Sequence, residues 1–535
     1  MRVLPLCIVP LLGLSVAAQS NAVPGTDIAI YDVGGPQVYG RIGPAYPNGT
    51  AGVVIGHSMC NNGTVDLPWF GYSGGVMVET YPKIAFLVAR ESDGRMVQIS
   101  GKSFMKHSRT AFNFSGTNPC GPCQSGPSQT FRRGCYDVYS AGFNGNRSNL
   151  GPTTEINPWL GSWNPVGSYF DVGDPAQSGY PAAADGVQSL STSGWDAVRN
   201  RMNVQEQDLI VPGTFYGQNH LMILGEPVAN RDNNLVSRPL SFGWNGSSWS
   251  VSVQGTAVEG SVLERWTGAT VAKAGNGMDD GRFLVAVKVT GPVDGMWHYE
   301  YAVHNIDNHR GGAVLRLPIC AEARVENIGF HDIDTDPLND WTPVRVGDAL
   351  EFQAGPGNPL DWNTFYNVWF DCDAAPLPGL FEIDAARPGP GALTVAVPST
   401  VPAQFNVVDL GPGCGTPTPT VAANSQPTIP NLGFELEFTV APGNLLLAVY
   451  SFGGANLPLG GTCFQYLDGN QIALMEVLGS DPVDGSSVRP IPLDLATSPA
   501  DWYVQGFEIQ SGGPVLGFLA PTNGLLLRVG GSGCP

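Results

Sequence analysis

Three titratable side chains are the first candidates for acid–base chemistry in this 535-residue chain: His107, His298 and Glu300. His298 and Glu300 stand two positions apart in a segment that alternates with period two, so in a strand they share a face at a spacing of ~7 Å. A histidine beside a carboxylate is a pair that acid–base catalysis uses. His107 joins them only if the fold brings it there. The alternative is that all three are ordinary polar residues of strand ends and surfaces.

Four aspartates at positions 1, 3, 5 and 9 of one loop form the candidate metal site. Asp332, Asp334, Asp336 and Asp340 lie in a single acidic loop, and calcium prefers several such hard oxygen ligands. Pro337 stands where an EF-hand loop needs glycine, so the sequence predicts a looser extracellular calcium loop, with Asp332 and Asp334 as the better ligands. Calcium is the only cofactor that the sequence proposes. A solvated acidic turn is the alternative.

Three tryptophans are candidates for stacking on sugar rings. Most of the twelve tryptophans stand beside alternating strand residues and are predicted to be core. Trp159, Trp163 and Trp249 stand in turn-rich segments instead, and we predict that they are exposed for carbohydrate. Burial of all three would contradict this prediction.

Nine cysteines follow Cys7, in groups of four, two and three along the chain. Pairing within each group is the simplest prediction, and an odd number leaves one thiol free or paired between chains. In the last group, a Cys414–Cys534 bridge would close the tail by joining its ends, unless Cys463 takes one of them. The disulfide candidates are Cys60, Cys120, Cys123, Cys135, Cys320, Cys372, Cys414 and Cys534.

The first eighteen residues predict a secreted protein. A basic start, an apolar run over 3–16 and small residues before Gln19 have the form of a signal peptide, residues 1–18. A signal peptide implies an extracellular or cell-surface location, where disulfides form and persist. The formal net charge of −20 and the lack of a basic patch exclude nucleic acid as a partner. No later apolar run approaches the ~20 residues of a transmembrane helix.

The elements that must position these residues are predicted to be strands. The chain contains 70 glycines and 45 prolines, and 10% of its residues are aromatic; this composition favours short strands joined by tight turns. The clearest pattern is a β-hairpin over 283–304, which carries His298 and Glu300 on what we predict to be its more polar face. The fold class is therefore mainly β: a β-sandwich body with long cysteine-pinned loops and a smaller C-terminal β-sandwich module.

Composition also predicts the domain bounds. After the signal peptide we expect a β-rich main region over 19–390, with a subdomain break near 205. A linker rich in Pro, Gly and Thr follows over 391–430, and the C-terminal module spans 431–535.

Two parts of the chain resemble known kinds of secreted protein. The tail, with Gly-Pro-Gly-Cys at 411–414, Gly-Gly-Thr-Cys at 460–463 and Asp-Trp-Tyr-Val-Gln-Gly at 501–506, resembles a C-terminal β-sandwich module of large secreted proteins of environmental bacteria. The segment from Cys60 to Asp137 is similar to an uncharacterised all-β family of the same secretomes. The resemblance implies a secreted, modular, all-β protein and brings no catalytic site.

Two functions are consistent with these features. The first is an extracellular binding or structural protein that contacts an extracellular polysaccharide or a cell-surface component, with a tail for surface attachment or sorting. The alternative is a secreted polysaccharide hydrolase or lyase, whose carboxylates and histidines would have to converge in one cleft. Whether His107, His298 and Glu300 meet in one pocket discriminates between the two.

Overall fold

A computed structural model describes residues 19–102, 104–116, 119–320, 323–402, 407–498 and 500–530. The predicted signal peptide, Ser103 and Cys534 lie outside these residues. The chain is 50% strand and 6% helix, which confirms the mainly-β prediction. Its large sheets pack as three sandwiches along the chain, here called the N-terminal, central and C-terminal sandwiches.

The N-terminal sandwich encloses one core between two antiparallel sheets. Alternation along its strands sends Ile84, Phe86 and Val88 into that core, against Val53 and Ile55 of the facing sheet. The first sheet contains β1 (Ile28–Ile42), β2 (Thr50–Asn61), β10 (Tyr136–Tyr139) and β14 (Met202–Gln205). The second contains β6 (Lys83–Ser92), β7 (Arg95–Gln98), β8 (Met105–His107), β11 (Leu150–Gly151), β15 (Thr214–Met222), β16 (Leu235–Trp244), β17 (Trp249–Val253) and β18 (Val258–Glu259).

The central sandwich encloses a second core, with Tyr299, Tyr301 and Phe370 from one sheet and Phe352 and Phe381 from the other. The third sheet has the order β19 (Thr270–Gly275), β20 (Arg282–Val293), β21 (Met296–Asn305), β26 (Thr364–Cys372) and β23 (Val325–His331). The fourth has the order β24 (Thr342–Val346), β25 (Ala349–Gln353), β22 (Gly312–Pro318), β27 (Pro376–Ala385) and β28 (Thr394–Pro402).

These two sandwiches share a third apolar core, so the four sheets form one stack. Leu87 and Ala89 on the outer face of β6 pack with Leu284 and Ala286 of β20 and with Phe365. The hairpin of β20 and β21 therefore has two buried faces. The prediction of one more polar face is wrong because the N-terminal sandwich covers that face, leaving only its outer end open.

The C-terminal sandwich is smaller, and its core includes Phe434, Phe438, Leu446 and Leu527. The fifth sheet has the order β29 (Val407–Gly411), β38 (Gly517–Val529), β37 (Ala500–Gly513), β32 (Leu445–Ser451) and β35 (Ile472–Gly479). The sixth sheet has the order β30 (Thr420–Ala423), β31 (Glu435–Thr439) and β36 (Ser486–Pro490), and a separate hairpin joins β33 (Gly454–Gly460) to β34 (Cys463–Leu467).

Short elements fill the loops of the N-terminal sandwich and its junction with the central one. Three two-stranded pairs are β3 (Leu67–Pro68) with β9 (Thr130–Phe131), β4 (Tyr72–Ser73) with β5 (Val76–Met77), and β12 (Ile156–Asn157) with β13 (Ser162–Trp163). The α-helices are α1 (Ala141–Asn144), α2 (Tyr169–Val172) and α3 (Glu206–Ile210), and 3₁₀ turns span Arg147–Asn149, Thr153–Glu155, Val228–Asn234 and Val262–Arg265. None of the helices in the described part of the chain has the length and apolar character that a membrane span requires.

Two predicted boundaries are wrong. The segment 391–430 is not a linker, because β28, β29 and β30 within it each join a sheet. The Pro-Gly run before it is held by Arg310, whose guanidinium donates to the carbonyls of Arg387, Gly391 and Ala392. No subdomain break falls near 205 either, since β14 and β15 on its two sides belong to the two sheets of one sandwich.

Disulfides pin the loops as expected, but two predicted pairings are wrong. Cys60 pairs with Cys120, and Cys123 pairs with Cys135, both within the N-terminal group. In the tail Cys414 pairs with Cys463 rather than Cys534, because β34 lies over the start of the module. Cys372 is a buried free thiol, so it does not pair with Cys320, which is itself disulfide-bonded.

Candidate functional site

A pocket of about 460 Å³ opens where the N-terminal and central sandwiches diverge at one end of their shared core. We call it the junction pocket. Its floor is the face of the third sheet that looks toward the N-terminal sandwich, and its roof is the hairpin that joins β6 to β7. Arg90, Val211 and His331 complete its wall. The pocket therefore belongs to both sandwiches and exists only when they are stacked.

Strand register arranges the floor as two rows of side chains. Thr290, His298 and Asp371 are direct partners across β20, β21 and β26, which puts them on one face in one row. Lys288, Glu300 and Trp369 form the adjacent row by the same pairing. The sequence prediction that His298 and Glu300 share a face agrees with this register, but Glu300 is buried rather than a surface residue.

His298 is held between two carboxylates. Its Nδ1 lies 2.6 Å from Oδ1 of Asp371, and its Nε2 lies 3.5 Å from Oε2 of Glu300. The hydrogen bond to Glu300, together with the contact to Asp371, raises the pKa of His298 above its ordinary value of 6.5, although partial burial opposes the rise. The imidazole is thus stabilised as a cation with both nitrogens engaged.

Glu300 is the buried anchor of the floor. Its Oε2 accepts a hydrogen bond of 2.6 Å from the guanidinium of Arg95, which reaches down from β7. The same guanidinium lies 3.7 Å from the centre of the Trp369 ring, within the range of a cation–π contact. Gly329 on β23 leaves room for that indole, because a Cβ there would lie 2.0 Å from Cζ2 of Trp369. Arg95 thus ties the roof strand to the floor.

Lys288 is the cation of this site that is not matched by a carboxylate. It forms no ion pair with any described residue, whereas Arg90 is paired with Asp208 and Arg95 with Glu300. Its ammonium lies against the roof turn, since a Cβ on Gly94 would come within 3.6 Å of Nζ. The roof turn and floor add the hydroxyls of Ser92 and Thr290.

The junction pocket can therefore bind a polar, negatively charged group. Lys288 supplies a positive charge that no carboxylate matches, and the hydroxyls beside it are donors and acceptors. Both His298 nitrogens already have partners, so the ring is poorly placed to act as a base at neutral pH. The site is better suited to holding an anion than to abstracting a proton.

His107 does not reach this pocket. It is fully buried in the N-terminal sandwich, where its Nδ1 lies 3.3 Å from the hydroxyl of Tyr81 and its ring packs against Trp163 and Phe170. Burial, reinforced by the nearby Lys83, pushes the pKa of His107 well below 6.5. His107 therefore does not meet His298 and Glu300 in one pocket, and the enzyme hypothesis loses that candidate.

The prediction of exposed loop tryptophans is also wrong. Trp159, Trp163 and Trp249 are 6%, 3% and 8% exposed. Trp159 lies against the guanidinium of Arg231, and Trp163 packs against the rings of His107 and Phe170. Trp249 lies beside the stacked rings of Tyr46 and Trp244. The indole N–H of Trp249 donates to the buried carboxylate of Glu206.

The four aspartates do not converge on a metal site. Asp332, Asp334 and Asp336 each accept a hydrogen bond from the backbone N–H two residues on, which makes three successive Asx turns. The second oxygen of Asp332 accepts from Asn358 instead of facing its neighbours. Among the residues that the structure describes, no three His, Cys, Asp or Glu side chains, Asp340 included, are grouped so as to hold a metal ion. The calcium site gains no support from this geometry and stays a prediction.

Sequence reasoning missed Lys288, Arg95, Asp371 and Trp369 as residues of the site. Alternation along the hairpin puts Lys288 on the face opposite Val287 and Val289, but its pairing with Glu300 depends on a register irregularity between Thr290 and Val293 that the sequence does not show. Arg95 and Asp371 come from distant strands, and nothing in the local pattern links them to His298.

Comparisons with known proteins add little to this geometry. No protein-family model matches the chain. No curated protein matches it. Among solved structures, the major pilin subunit of Bacillus cereus aligns with 63% of this chain and 88% of the pilin chain, at 10% identity and a TM-score of 0.17. A TM-score that low does not relate the two folds, and the resemblance to secreted bacterial families stays a prediction.

Proposed function

We propose that this chain is an extracellular binding protein whose junction pocket holds an acidic polysaccharide through its carboxylate groups. The observation that carries the proposal is the unpaired ammonium of Lys288, on the same floor as His298, whose pKa is raised by its carboxylate partners. A carboxylate on a sugar ring supplies the charge that Lys288 lacks, and the ring hydroxyls match Ser92 and Thr290.

The charge of the whole chain makes this pocket selective. With a net charge of −20, most of the surface repels a polyanion. In the junction pocket Lys288 is the cation without a carboxylate partner, whereas Arg95 and His298 are each paired with one. We therefore expect binding to weaken as salt rises, because partly exposed charges are screened.

An extracellular setting is supported by the disulfides. Three bridges within the described residues, two of them in the long loops of the N-terminal sandwich, are typical of proteins that fold in an oxidising compartment. The predicted signal peptide agrees with this setting. The tail would serve for attachment or sorting, and deletion of residues 411–535 should then reduce retention at the cell surface while leaving ligand binding in place.

The alternative is a lyase or hydrolase that uses the same pocket. His298 oriented by Asp371 is a pair that such an enzyme could use. Engagement of the second nitrogen by Glu300 argues against it, since a base needs a free lone pair directed at the substrate. The binding experiment separates the two functions if products are measured in the same tubes.

The experiment compares polygalacturonate with neutral amylose, using the mature chain, by calorimetry and by assay of new reducing and unsaturated ends. We expect binding to polygalacturonate alone, without new ends. Lys288→Gln should weaken it at least ~10-fold, the loss of one charge-assisted contact. Lys273→Gln is the matched control, because Lys273 is an exposed lysine of the same sheet already paired with Asp232. Equal affinity of both variants would overturn the proposal, and new ends abolished by His298→Gln would establish the enzyme instead.

A further inference from the structure

The strand β35 is an exposed, apolar edge of the fifth sheet. It pairs with β32 on one side and ends the sheet on the other, within the residues that the structure describes. Leu474, Met475 and Val477 are 46%, 56% and 63% exposed. A row of unpaired backbone N–H and C=O groups beside such side chains is a template for another strand.

Other edges of this fold carry the features that prevent such pairing. β24 contains Pro343 and Arg345, and β28 contains Pro398 and Pro402. The long edge strand β1 is interrupted by three register irregularities along its pairing with β2. β35 has no proline, lysine or arginine, and its one irregularity lies at Ala473, so the strand pairs regularly from Leu474 onward. The chain thus protects these edges and leaves this one open.

The single charge of β35 does not guard the edge. The Oε1 atom of Glu476 accepts hydrogen bonds from Nε of Arg489, at 2.7 Å, and from the hydroxyl of Tyr450, at 2.9 Å. The carboxylate is therefore turned toward the sixth sheet and neutralised there. The strand therefore adds no unpaired charge of its own when two copies of this chain, each with a net charge of −20, approach edge to edge.

We propose that β35 pairs antiparallel with β35 of a second copy of this chain, across a two-fold axis perpendicular to the sheet. This symmetry places residues of the same face opposite each other. A register centred on Met475 sets Ala473 against Val477 and Leu474 against Glu476. A register centred on Glu476 would instead oppose two carboxylates, so the Met475 register is favoured.

Apolar surface beside the strand extends the contact. A cavity of about 340 Å³ opens at Leu474 and is lined also by Phe452, Ile491 and Trp502. Phe452 is 57% exposed. Pairing two edges would join the two fifth sheets into one and bring these apolar rims together, which adds hydrophobic burial to the backbone hydrogen bonds.

The test is the mass of the mature chain in solution, by light scattering on a sizing column and by sedimentation over a range of concentrations. We expect twice the monomer mass for the native chain and the monomer mass for the double variant Met475→Lys, Val477→Lys. Leu495→Lys is the matched control, because Leu495 is an 84% exposed leucine of the same sandwich outside its strands. A single cooperative thermal transition shows that the double variant is folded, and its midpoint should fall because the dimer no longer stabilises the folded chain.

A cross-link reports the register. In the proposed pairing the two Met475 side chains lie opposite each other, so Met475→Cys should form a covalent dimer under mild oxidation and Leu495→Cys should not. A native chain that stays monomeric up to its solubility limit would overturn the proposal. A dimer that survives both lysine substitutions would overturn it as well.

Discussion

His298 and Asp371 are direct partners across β21 and β26, and 2.6 Å separates Nδ1 of the ring from Oδ1 of the carboxylate. We expect Asp371→Asn to lower the pKa of His298 toward 6.5, because one of the two carboxylates that favour the cation becomes neutral. Glu300→Gln should lower it further, since Glu300 is more deeply buried and its charge is less screened. Histidine-resolved NMR titration measures both shifts.

The raised pKa of His298 also predicts how the free energy of unfolding depends on pH. A pKa raised in the folded state means that the stabilising effect of His298 is complete below pH 6.5 and is lost as pH rises through the folded pKa. Asp371→Asn should remove part of that pH dependence. Asp373→Asn is the control: Asp373 follows the last residue of β26, and its substitution should leave the titration of His298 unchanged.

Gly329→Ala should destabilise the central sandwich. The added methyl group would lie 2.0 Å from Cζ2 of Trp369, so the indole or the strand must move, at a cost of about 1–3 kcal/mol. Urea unfolding followed by tryptophan fluorescence measures the change. Gly433→Ala is the control, because its nearest contact would be 3.9 Å away. Equal stability of both variants would contradict the tight contact and with it the fixed position of Trp369 under Arg95.

Asp280→Asn should loosen the Pro-Gly run before β28. Asp280 and Arg310 form an ion pair of 2.9 Å in which both side chains are nearly fully buried, and removing one partner of such a pair costs about 3–5 kcal/mol. Limited proteolysis should then cut near Pro388, and the thermal midpoint should fall. Glu326→Gln breaks an exposed pair with Arg324 and should cost less than ~1 kcal/mol.

Lys106 should make stability depend on alkaline pH. Burial lowers the pKa of Lys106 from 10.5 to about 7, and Lys83 shows the same shift for the same reason. Between these values the unfolded chain binds more protons than the folded one, so the free energy of unfolding should rise as pH rises from about 7 to 10.5.

The change that tests this is Lys106→Met, which should flatten the slope by about half because Lys83 remains. Urea unfolding is best measured above pH 8, since burial raises the pKa of Glu226 to about 8 and gives the opposite slope below that value. Lys273→Met, on the exposed edge of the third sheet, should leave the slope as it is. An unaltered slope in the Lys106 variant would show that its amine is not desolvated.

Local alternation was enough to predict the hairpin, because β20 and β21 differ from their surroundings in period and end at a turn. It also assigned His298 and Glu300 to one face. Alternation does not report what covers a face, and here the cover comes from β6, some two hundred residues upstream. Local alternation therefore does not predict that Glu300 is buried or that it forms an ion pair with Arg95.

Composition misled where tertiary contacts override it. The proline- and glycine-rich run that ends at Gly391 is typical of a linker, yet Arg310 satisfies its carbonyls and fixes it. Proximity in the chain likewise paired Cys320 with Cys372, but distances in space decide disulfides, and Cys372 stays a thiol. The turn-rich sequence around Trp159 and Trp249 does not show that they are buried: Trp159 lies in a turn under Arg231, and Trp249 begins β17 beside Tyr46.

The roof of the junction pocket is a turn of only two residues, Asp93 and Gly94, both with positive φ as a type I′ hairpin turn requires. Neither residue belongs to an apolar core, so mutation can lengthen or replace this turn as long as the indole of Trp266 keeps the hydrogen bond that it donates to the carbonyl of Gly94. Selection thus has a way to change what the pocket admits while the rest of the chain is conserved. Relatives of this chain that differ in ligand would be expected to differ first in the length of this hairpin.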